Sequence, residues 1–119
     1  MSDESTQFRK PTDKERRLIA ALVAKASDLT LPSGWLEMLE VQSLADGGMG
    51  SLRLLFPVLS AAPKAFGKQA SEFVFEDVDG VKVIASLNVD SSGLPMELDL
   101  WKTDFSPVLC IPVDLIDKS

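Results

Sequence analysis

Three observations predict an α+β fold, an N-terminal helix packed on an antiparallel sheet (meander) of about five strands. Apolar and polar residues alternate from Ser71 to Lys102. An amphipathic, capped helical stretch precedes them, and glycine-bearing turns separate the alternating runs. The chain of 119 residues is the usual size of one domain, read here as a disordered lead-in over 1–10 and a single α+β domain over 11–119.

The helix is expected from about Thr12 to Asp28. Thr12 with Glu15 three residues later forms a capping box, and Leu18, Ile19, Leu22, Val23 and Ala26 make an apolar stripe at helical spacing. Pro32, Ser33 and Gly34 then signal a turn. A first strand is expected over about Leu36–Leu44, a turn over Asp46–Gly50, and a second strand over about Ser51–Phe56. Pro57 to Lys68 carries two prolines and a glycine and reads as an irregular connection, with room for a short helical turn.

Three further strands follow. Phe73 and Phe75 alternate with Glu72, Val74 and Glu76; Val81, Val83, Ala85, Leu87 and Val89 with Lys82, Ile84, Ser86 and Asn88; Met96, Leu98 and Leu100 with Glu97, Asp99 and Trp101. Parity pairs inward residues with inward residues. Phe75 opposite Val83 leaves the loop Val78-Asp79-Gly80, with glycine at the left-handed position. Leu87 opposite Met96 leaves the loop Asp90-Ser91-Ser92-Gly93. This register puts Glu76, Lys82 and Trp101 in one outer row, Val74, Ile84 and Asp99 in the next, and Glu72, Ser86 and Glu97 in a third. Leu22, Val23, Phe73, Phe75, Val83, Ala85, Leu87, Leu98 and Leu100 are expected in the core.

Composition narrows the chemistry. There is no His and no Tyr, so the commonest general base, the common metal ligand and the usual triads are missing. The single Cys110 excludes an internal disulfide and, between Leu109 and Ile111, reads as a small buried hydrophobe. Gly47-Gly48-Met49-Gly50 precedes a strand, not a helix, which argues for a hairpin turn over a phosphate loop. Asp77-Val78-Asp79-Gly80 lacks the later ligands of a calcium loop. Glu97 and Asp99 are acidic decoration or a partner patch; a hydrolase built on them is the remote alternative, because a small sheet offers little cleft. No catalytic residue, cofactor or metal site is expected, and the chain is read as not an enzyme.

Net charge is −6 and uneven. Residues 1–30 hold six basic and five acidic side chains; residues 31–119 hold six and thirteen, a net of −7. Such a body repels nucleic acid and attracts basic partners. No secretory leader or membrane-length apolar run is evident, so a cytoplasmic location away from membranes is expected. The expected partner surface is the outer sheet face, Glu72, Glu76, Glu97, Asp99 and Trp101, extended by the Asp77/Asp79 turn. Trp101 has two readings: covered by the apolar, proline-punctuated segment Phe105–Pro112 folding across that face, which is the expectation, or exposed as an anchor.

Asp46-Gly47-Gly48-Met49-Gly50-Ser51-Leu52, Ser86-Leu87-Asn88-Val89-Asp90 and the run from Glu97 to Pro107 together resemble a family of small bacterial proteins with an ELDxWKxDFSPL motif. The resemblance covers about residues 10–109. It implies no particular activity or site residue. By analogy of size and charge it suggests an immunity protein, one that neutralises a toxin delivered by a neighbouring cell, as in contact-dependent growth inhibition. The expected function is therefore an immunity-type, non-catalytic neutraliser of a basic, nuclease-like toxin. The alternative is a self-associating or small-ligand-binding housekeeping domain.

Overall fold

The computed structural model describes residues 7–26, 29, 31–57 and 65–118. The element order is α1 (Asp13–Lys25), α2 (Trp35–Met38), β1 (Glu40–Ser43), β2 (Leu52–Leu55), β3 (Phe66–Glu76), β4 (Lys82–Asp90) and β5 (Pro95–Lys102). The described strands form one antiparallel sheet in the order β1-β2-β5-β4-β3. The last three strands are the expected meander. The β1–β2 hairpin docks beside β5 through Leu52 opposite Leu98 and Arg53 opposite Glu97.

The helix starts where its capping chemistry places it. The Thr12 hydroxyl accepts from the Glu15 N–H at 3.2 Å, and the Glu15 carboxylate accepts from the Thr12 N–H at 2.9 Å. Two amides of the first turn's entry are thereby satisfied. α1 closes at Lys25 with Ala26 as C-cap, and the expected end at Asp28 lies outside the described residues. Leu18, Ile19 and Leu22 are fully buried against Phe73, Phe75, Val83, Ala85, Leu87, Leu98 and Leu100. Val23, expected in the core, is only partly buried at its margin.

Part of the lead-in expected over 1–10 is tied down. Arg9 exchanges backbone hydrogen bonds with Val41 on the free edge of β1, and its guanidinium grips Glu15 at 2.7 and 3.0 Å. The strand expected over Leu36–Leu44 is shorter, because a helical turn, α2, takes Trp35–Met38 before β1 begins. Apolar spacing over so few residues serves a helical turn or a strand equally. Most of the irregular connection, residues 58–64, lies outside the described residues, and its end, expected at Lys68, is already strand from Phe66.

The expected register holds for the first hairpin and slips in the second. Phe75 faces Val83, as parity requires. Leu87, however, faces Leu98 and not Met96. The tighter loop is Ser91-Ser92-Gly93, closed by the Asp90 N–H donating to the Leu94 carbonyl, and a bulge follows where Val89 pairs with Pro95. Proline has no N–H to give the ladder, so an irregular step beside it costs little. A slip of two residues preserves which face each side chain takes.

No helix among the described residues is long and apolar enough to cross a membrane.

Candidate interaction surface

The inner face of the sheet is filled by α1 and by the C-terminal segment. After β5 the chain turns back toward the helix side. Val108 donates to the Gly48 carbonyl, and Leu109 and Cys110 donate to the Asp77 carboxylate at 2.7 and 3.0 Å. Val108, Ile111 and Leu115 pack on the core. Cys110 is half-buried there, with the Lys14 ammonium 2.9 Å from its sulfur. The segment ends on the outer edge of β3. Lys118 donates its N–H to the Val74 carbonyl, the Asp117 carboxylate accepts from the Val74 N–H, and Lys25 pairs with Asp117. The expectation that this segment covers Trp101 is therefore overturned: Phe105 reaches the Trp101 ring but leaves it exposed, and Val108 and Ile111 pack on the helix side, where Asp77 accepts from Leu109 and Cys110.

The corrected register rearranges the outer face. Glu76 is opposite Lys82; Val74, Ile84 and Trp101 share a row; Glu72, Ser86 and Asp99 share the next; Asn88, Glu97 and Arg53 share the last. Trp101 thus moves from beside Lys82 to beside Ile84. Glu72, Glu76, Asp99 and Trp101 are exposed and Glu97 is half-buried, with Asn88 donating to it at 3.2 Å. No described helix or strand packs over them.

Asp77 and Asp79 do not belong to that surface in the same way. Lys102 lies on the inner parity of β5, opposite Val83, with its side chain 1% exposed. Its ammonium reaches Asp77 at 2.9 Å, Asp79 at 2.6 Å and the Pro107 carbonyl at 3.3 Å. Asp77 is fully enclosed, whereas Asp79 stays about a third exposed. Burial alone would raise the Asp77 carboxyl, but the N–H groups of Leu109, Val78 and Cys110 and the Lys102 ammonium outweigh it and hold it below its ordinary value. Burial likewise opposes the charge on Lys102, and Asp79 and Asp77 together reverse that, holding it above the ordinary lysine value. Asp77 is thus a structural clasp joining the β3–β4 turn, β5 and the C-terminal segment. Parity carried the signal: Leu98 and Leu100 inward require Lys102 inward, and a buried lysine requires a carboxylate.

Beyond β5, the turn Lys102–Phe105 adds a second aromatic to the surface. Phe105 is 72% exposed, and its ring lies 5.6 Å from that of Trp101, which is 41% exposed. Asp104 orders this turn by accepting from the Ser106 N–H and hydroxyl at 3.0 and 2.6 Å, and the hydroxyl above all holds the Asp104 carboxyl below its ordinary value. Sequence reading placed Phe105 in the covering segment and so missed it. Trp35, by contrast, is half-buried at the core edge, 6.4 Å from Phe56.

Among the described residues, no group of His, Cys, Asp and Glu is arranged to hold a metal ion. The arrangement is suited to recognition: carboxylates around an aromatic pair on a rigid sheet. No curated protein and no solved structure matches the chain. One family model does, across residues 8–112, and its description is a domain of unknown function. With a match over that much of its length, the chain belongs to the DUF6984 family.

Proposed function

We propose that this chain is a non-catalytic binding protein that takes a basic protein partner on its outer sheet face, as an immunity protein would take a basic, nuclease-like toxin. The observation that carries the reading is the exposure of Glu72, Glu76 and Asp99 around Trp101 on a face over which no described element packs. Carboxylates outnumber the cations Lys82 and Arg53 on this face, and an excess of one sign repels itself and is favourable when an opposite surface is brought to it. Blocking a nuclease needs no chemistry, because carboxylates occupying a phosphate groove suffice and opposite charge speeds encounter. The immunity role and a bacterial setting rest on the sequence resemblance and on charge.

The test is binding between this chain and the product of the gene adjacent to its own. Capture of a basic protein, lost on Glu72→Lys with Asp99→Lys while the fold persists, supports the reading. Absence of binding to that product, or binding indifferent to the reversal, overturns it.

A further inference from the structure

Three turns in this chain follow one plan. In Asp77–Gly80 the Gly80 N–H donates to the Asp77 carbonyl at 2.9 Å, and Gly80 has φ +82°. In Asp90–Gly93 the Gly93 N–H donates to the Asp90 carbonyl at 2.9 Å, and Gly93 has φ +89°. In Lys102–Phe105 the Phe105 N–H donates to the Lys102 carbonyl at 2.9 Å, and Phe105 has φ 65°. Phe105 is the described non-glycine residue with positive φ. Twice the left-handed position is filled by the residue that adopts it without steric cost, and once by an aromatic that does not. Core packing does not explain the exception, since Phe105 is 72% exposed and its ring contact is with Trp101.

We infer that Trp101 and Phe105 form a platform for an arginine side chain of a cationic protein partner, an inference that rests on the acidic-face reading above. Two observations select arginine. The apolar surface offered is aromatic, and guanidinium stacks on aromatic rings while being weakly hydrated. Carboxylates border it: Asp99 is two residues from Trp101 on the same face, and Asp104 adjoins Phe105, its hydrogen bonds all falling on one oxygen, Oδ1. A guanidinium on the platform has carboxylate oxygens for its N–H fork. Among the described residues, the strand cations on this face are Lys82, opposite Glu76, and Arg53, opposite Glu97, and neither stands in the row of Trp101. A second copy of this acidic chain is the less suited occupant, because like charges would meet.

The experiment titrates the intact protein with an arginine–glycine repeat peptide and a lysine–glycine peptide of equal length and charge, following the two Trp indole N–H resonances by NMR. The arginine peptide is expected to shift Trp101 and leave Trp35 in place, and to bind about threefold or more tighter than the lysine peptide. Trp101→Ala and Phe105→Gly should each weaken it by a similar factor, while Phe105→Gly keeps the melting temperature at or above that of the parent. Equal binding of the two peptides, or full binding by Phe105→Gly, overturns the platform. The arms separate the two readings. If Glu72→Lys with Asp99→Lys abolishes binding of both peptides and Phe105→Gly changes nothing, the acidic face stands and the platform falls. If neither peptide shifts Trp101, the platform falls whatever the adjacent gene's product does.

Discussion

Lys102 shows how one inward charge organises its surroundings. An ammonium enclosed beneath the sheet must be paired, and it draws the Asp77/Asp79 turn and the Pro107 carbonyl onto itself. Asp77→Ala should therefore cost roughly 3–5 kcal/mol, measured by urea unfolding, because it removes the enclosed partner and frees two amides of the C-terminal segment. A loss below about 1 kcal/mol would mean that the clasp is not structural. The same pair sets a pH profile. The Asp77 carboxyl is lowered in the folded state, so its contribution is present above about pH 4, the unfolded value, and is lost as pH falls through the lower folded one. Lys102 is raised, so its contribution is full below about pH 10 and is lost as pH rises through the higher folded value. Stability from this cluster should be flat between those limits, and Asp77→Ala should flatten the acid limb of the profile.

At the scale of elements, each outer edge of the sheet is hydrogen-bonded, at Val41 and at Val74, by chain that is not a strand. Arg9 pairs with β1, and Asp117 and Lys118 pair with β3 at Val74. Edges left open invite pairing with other chains. Removing residues 113–119 should collapse hydrogen-exchange protection of the Val74 amide while leaving amides of β4 and β5 protected; unchanged protection at Val74 would show that the tail is not its cover. How legible each element was follows from its physics. The β3–β4 hairpin could be read because period-two alternation and Gly80 agree on one register. The β4–β5 register was off by two because nothing in the alternation distinguishes Met96 from Leu98, while the bulge at Pro95 decides between them. The helix start was legible from Thr12 and Glu15. The tail was not, since its place depends on Asp77 accepting from Leu109 and Cys110, contacts that span some thirty residues and leave no periodic trace. Of the expected surface, Glu72, Glu76, Asp99 and Trp101 lie exposed together on one face, with Glu97 half-buried beside them, and Asp77 was lost to the interior.

For the whole molecule, charge and shape divide the work. One face of the sheet carries the core, α1 and the tail; the other carries exposed carboxylates beside an aromatic pair. In a body of net charge −6, that second face is where long-range attraction to a cationic protein would turn into contact. Rim charges govern encounter more than lifetime, so reversing them should slow association and weaken its dependence on salt. The most direct measurement is the association rate between this chain and the product of its adjacent gene, compared with that of the Glu72→Lys, Asp99→Lys variant across a salt series. A fall of about tenfold or more at low salt, with the melting temperature retained, is the expected result. Equal rates for parent and variant at every salt concentration would contradict a partner site on the outer sheet face.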